Sequence, residues 1–73
     1  MKQAKFEMRS KARTIKGLVN VLQSDAEYVY TDVEDYDIVS LGESMREMKD
    51  TMQYLIDSIT ELEYALYLAK AKE

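Results

Sequence analysis

Residues 38–69 read IVSLGESMREMKDTMQYLIDSITELEYALYLA, and the spacing of their apolar side chains decides the fold. Ile38, Leu41, Met45, Met48, Met52, Leu55, Ile59, Leu62, Leu66 and Ala69 recur at steps of three and four without a break. That is an a/d heptad, the signature of a helix with one apolar seam. In this register Ser44, Thr51, Ser58 and Ala65 share the g column, where small side chains let a neighbouring helix come close. A helix over residues 38–71 would be roughly 50 Å long. Gly42 is its one weak point, costing about 1 kcal/mol relative to alanine. Ser40 with Glu43 matches a capping box, which allows a later start.

The first half repeats the pattern less cleanly. Met8, Ala12, Ile15, Val19, Leu22, Ala26 and Val29 keep the same steps and predict a helix over residues 3–30. Lys5 and Lys11 interrupt the apolar positions, so the first turn or two is expected to fray or leave the core. Ser24 with Glu27 and Thr31 with Glu34 also match capping boxes, so a break near residue 24 is a rival. The two seams are out of phase, and the chain must reorient over residues 31–37. A short connection between two long helices makes them antiparallel neighbours. The expected fold is therefore all-α: one domain over residues 1–73, an antiparallel helical hairpin with a coiled-coil-like seam.

Between the seams lies DAEYVYTDVEDYD, residues 25–37, with six carboxylates, three tyrosines and no base. Residues 1–16 hold six bases and one acid. The hairpin thus has an acidic tip and a basic open end. Clustered carboxylates beside Tyr28, Tyr30 and Tyr36 suit a basic protein surface, since tyrosine supplies rigid contact area with a polar end. The expected contact residues are Tyr28, Tyr30, Asp32, Glu34, Asp35, Tyr36 and Asp37. A solvated turn whose acids cap the next helix is the plainer alternative, and a β-hairpin starting at residues 28–31 follows from the β-propensity of Tyr-Val-Tyr-Thr. Either a second copy packed head to tail neutralises this tip, or the tip is free for a basic partner.

Composition narrows the chemistry. With no cysteine or histidine in 73 residues, disulfides, thiolate zinc and imidazole ligation are excluded. No apolar run approaches the roughly 20 residues that span a bilayer, and nothing resembles a signal peptide, so a cytoplasmic protein is expected. Every seam position reads as apolar and every acid as outward or in the turn, which leaves no acid/base pair for catalysis and no cofactor site. Asp32, Glu34, Tyr36 and Glu43 have the end points of a calcium loop but lack its fifth-position oxygen and sixth-position glycine.

Two further surfaces stand out. Lys2, Lys5, Arg9, Arg13 and Lys16 fall within about 80° of one another around the first helix, a stripe able to track phosphates. The net charge of −4 argues against nucleic acid for the chain as a whole. Leu18, Val21, Tyr54, Ile56, Tyr64, Tyr67 and Leu68 lie outside both seams, and that apolar surface predicts an oligomer interface. A chain this small lacks the core to stand alone, so a homodimer forming a four-helix bundle is expected. The expected function is non-catalytic: a small interaction protein or regulator, such as an inhibitor encoded by a phage or mobile element. Nucleic-acid binding through the basic stripe and a plain coiled-coil adaptor are the alternatives.

Overall fold

A computed structural model describes residues 2–72, with the side chain of Lys2 outside the described set. It contains two helices, α1 (Lys2–Glu34) and α2 (Ile38–Ala71), joined by residues 35–37 into an antiparallel hairpin 55 Å long. Helix α1 runs four residues past the expected end at 30, so the turn expected over 31–37 shrinks to three residues. The chain is also helical through Ser24 and through Tyr28–Thr31, which removes the early break and the β-hairpin. Its first turns are helical rather than frayed, and Lys11 stays at the seam, crossing to Glu61 at 3.3 Å.

The turn stops α1 by backbone hydrogen bonds. The N–H of Asp37 donates to the Asp32 carbonyl at 2.9 Å and that of Tyr36 to Val33 at 3.1 Å, the pair that defines a Schellman ending. Such an ending needs a left-handed residue, and here it is Tyr36, with φ 52°. Asp37 then caps α2: its Oδ1 accepts from the Ser40 N–H at 3.1 Å. The capping boxes at Ser24, Thr31 and Ser40 are not used as helix starts. Left-handed backbone costs a non-glycine residue about 1 kcal/mol or more. Tyr36 gains no packing in return, being 80% exposed. Tyr36→Gly is therefore expected to raise stability by about 0.5–1 kcal/mol in thermal unfolding, after the added unfolded-state entropy of glycine is subtracted; a lower melting point would show that the ring is packed.

Burial shows which columns face each other. On α1 the half-buried positions are Ala4, Met8, Lys11, Ile15, Leu18, Leu22, Asp25, Val29 and Asp32. On α2 the inward positions are Leu41, Ser44, Met48, Thr51, Leu55, Ser58, Leu62, Ala65 and Ala69. Each list keeps the three-four rhythm, yet each shares only one column with the seam read from sequence. In α2 the small column is the one turned inward, and Thr51 and Ser58, at 8% and 6%, are the most enclosed side chains among the described residues. Small side chains let the backbones approach, and the neighbouring apolar column is displaced outward.

Polar bonds line that inner column. Thr51 Oγ1 donates to Asp25 Oδ2 at 2.7 Å, and Ser44 Oγ donates to Asp32 Oδ2 at 2.6 Å. The expectation that all acids lie outside the seam or in the turn fails at Asp25 and Asp32. A carboxylate between helices is tolerated because a hydroxyl from α2 meets it.

Candidate interaction surfaces

The displaced apolar columns form the most continuous surface of the hairpin. Met45, Met52, Ile59 and Leu66 keep a nearly constant exposure of 45%, 45%, 43% and 44% along α2. That regularity marks a helix face open to one side along its whole length. On α1 the matching column is Ala12, Val19, Ala26 and Val33, also exposed. Both columns stand one residue C-terminal to the polar inner column of their helix. In an antiparallel pair, equivalent flanking columns lie on the same side, so the two stripes merge into one face.

The register fixed by the Asp25–Thr51 and Asp32–Ser44 bonds sets the layers of this face. To within about half a turn, Ala12 is level with Leu66, Val19 with Ile59, Ala26 with Met52 and Val33 with Met45. Ile56 borders the face and is exposed. No hydrophobic side chain among the described residues is fully buried. A four-helix arrangement that covers this face would use three columns per helix, the width of stripe that a bundle core needs.

The residues expected at the oligomer interface do not share this surface. Leu18 faces α2 within the hairpin, half-buried. Val21, Tyr54, Tyr64 and Leu68 lie on the opposite flank, and Tyr67 points outward. Tyr64 and Leu68, with Phe6 and Lys11, line a groove of about 710 Å³ on that flank toward the open end. Only Ile56 belongs to the continuous face. Sequence periodicity missed the outer stripe because it read as half of the intramolecular seam.

The acidic tip is smaller than the expected contact set. Glu34, Asp35, Tyr36 and Asp37 are exposed at the end of the hairpin. Asp32 is turned into the seam against Ser44. Tyr28 and Tyr30 are two residues apart on a helix and so face nearly opposite flanks. Asp37 is exposed but already occupied as a cap. That leaves Glu34, Asp35 and Tyr36 as groups with no partner within the tip.

In the basic stripe Lys5, Arg9, Arg13 and Lys16 are exposed, while the Lys2 side chain lies outside the described residues. The Lys11–Glu61 pair is separate from it and exposed, and such pairs contribute about 0–1 kcal/mol. Among the described residues no acidic cluster is placed to hold a metal ion, and no helix is long and apolar enough to cross a membrane. No family model, curated protein or solved structure matches the chain.

Proposed function

We propose that this chain is a non-catalytic interaction protein that self-associates into a four-helix bundle and engages a basic protein surface through its acidic tip. The observation that carries the reading is Tyr36. A large aromatic ring, 80% exposed, sits on left-handed backbone, preceded by Glu34 and Asp35 and followed by Asp37. Strain kept at an exposed position where glycine would relieve it points to a use for the side chain. A rigid ring between carboxylates is suited to a lysine- or arginine-rich surface, with cation–π contact added to charge.

Titration with a fluorescent lysine- and arginine-rich peptide tests this. Glu34→Gln with Asp35→Asn is expected to weaken binding at least tenfold, since it removes two of the exposed tip charges. Tyr36→Gly should weaken it several-fold while stabilising the fold, a combination that general unfolding does not produce. Equal binding by all three proteins would remove the tip from consideration. If instead the chain shifts nucleic acid at low salt and Arg9→Glu with Arg13→Glu abolishes the shift, function passes to the basic stripe.

A further inference from the structure

We infer that the outer apolar face is covered by a second copy of this chain with both tips at the same end, the two-fold axis running along the hairpin. This deepens the self-association proposed above and rests on it. In that arrangement α1 of one copy packs on α2 of the other. Symmetry then leaves no freedom to slide, because every residue meets the level it already occupies within its own hairpin. The match between the two helices at each level is therefore a test that the sequence either passes or fails.

It passes on size. The α1 column is Ala-Val-Ala-Val and the α2 column is Leu-Ile-Met-Met over the same layers, so a small side chain meets a larger one throughout. Antiparallel placement of the tips would pair α1 with α1 and α2 with α2, setting small against small and large against large. On charge at the rim of the face it passes from the middle of the hairpin to the tip, while nearer the open end Arg9 and Lys70, one heptad beyond Lys16 and Glu63 in the same two columns, meet as like charges. On α1 the rim is basic at Lys16 and acidic at Glu27 and Glu34; on α2 it is acidic at Glu63 and basic at Lys49 and Arg46. At common levels, within about one turn, Lys16 lies near Glu63, Glu27 near Lys49 and Glu34 near Arg46. The other acids of the tip half do not oppose this pairing. Asp25 and Asp32 are engaged in the seam, and Glu43, Glu47 and Asp50 lie on the flank turned away from the second copy, where salt screens charges more than about 8 Å apart. A stable interface needs roughly 800 Å² per partner, and a half-exposed apolar face along most of a 55 Å hairpin supplies an area of that order.

The consequence is a compound tip. Two Tyr36 rings and two Asp35 carboxylates would stand side by side, with each Glu34 shared between Arg46 of the other copy and the tip, giving a basic partner twice the surface and an avidity that one hairpin lacks.

The chain has no cysteine, so Asp35→Cys gives a single labelling site at the tip. Sedimentation at micromolar concentration is expected to show a dimer, and the distance between two spin labels is expected to fall within about 30 Å, given helices packed 8–10 Å apart. Labels separated by nearly the 55 Å length of the hairpin would overturn the arrangement and leave the dimer standing. A monomer would overturn self-association itself, whereas peptide binding by the tip is read independently. A charge swap gives a second decision. Lys16→Glu should weaken the dimer, and Glu63→Lys in the same chain should restore it; restoration by Glu27→Lys instead would place the tips at opposite ends.

Discussion

Ile59→Glu is expected to abolish self-association and with it most of the helix content, read as loss of ellipticity at 222 nm at micromolar concentration. The hairpin alone has no buried hydrophobic residue among those described; its inner contacts are half-buried aliphatics, two hydroxyl–carboxylate bonds and small side chains. Ile59 stands at the middle of the outer stripe. Removing it forfeits on the order of 2 kcal/mol of burial per chain, and the introduced carboxylate adds a desolvation cost of several kcal/mol in each copy. Total stability of small domains is about 5–15 kcal/mol, so two such losses in one dimer leave little. Ser24→Glu, at an exposed position on the opposite flank of α1, is the matched control and should leave the melting point within a few degrees. Melting of the parent protein should rise with concentration, as mass action requires when folding and association are coupled. If Ile59→Glu remains a folded helical monomer, the outer stripe contributes no stability.

The same physics explains what periodicity revealed and what it hid. An unbroken rhythm over 32 residues identifies α2 and the hairpin follows from two such helices, because 3.6-residue geometry leaves few other ways to gather those side chains. Which pair of columns closes the hairpin is another matter. On α2 the columns beginning at Leu41, Ser44 and Met45 all keep the rhythm, and hydropathy favours Met45 over Ser44. Backbone distance favours the opposite choice, since Ser44, Thr51, Ser58 and Ala65 allow the closer approach. On α1 the competing columns are Leu18 with Asp25 and Val19 with Ala26. A seam chosen by hydropathy takes the second pair, and the carboxylates of Asp25 and Asp32 then look like surface. Their hydroxyl partners lie 26 and 12 residues away, too far for a local pattern to reveal. The tip was hidden for a related reason. Tyrosine carries no signal for left-handed backbone, so the end of α1 at Glu34 could be found only from the Schellman bonds around it.

Asp25→Leu combined with Asp32→Leu is expected to raise thermal stability and lower structural uniqueness together. Each substitution exchanges a half-buried carboxylate for an aliphatic side chain in the column that already holds Leu18. Thr51 is not orphaned by the change at Asp25, because its hydroxyl also reaches the Glu47 carbonyl at 3.1 Å. Replacing a polar contact with apolar packing is often stabilising, here by about 1 kcal/mol at Asp25, whereas at Asp32 the gain is offset because Ser44 loses its one side-chain partner. At 4–8 °C per kcal/mol for a domain of this size, the double variant should melt roughly 5 °C higher. The penalty falls on specificity. In the natural chain the carboxylates hold one column of α1 against the hydroxyls of α2, and this leaves the column of Val19 and Ala26 for the outer face. With leucine at both positions, the inner and outer columns of α1 become nearly equivalent, and α1 can rotate by about 100° without exposing more apolar surface. Mixed oligomers in sedimentation and broadened amide resonances are the expected signs, as with other under-specified apolar cores. A double variant that is less stable would show that the two hydroxyl–carboxylate bonds stabilise the hairpin more than apolar packing does. One that is more stable and still a single species would assign the choice of face to the small residues of α2 alone.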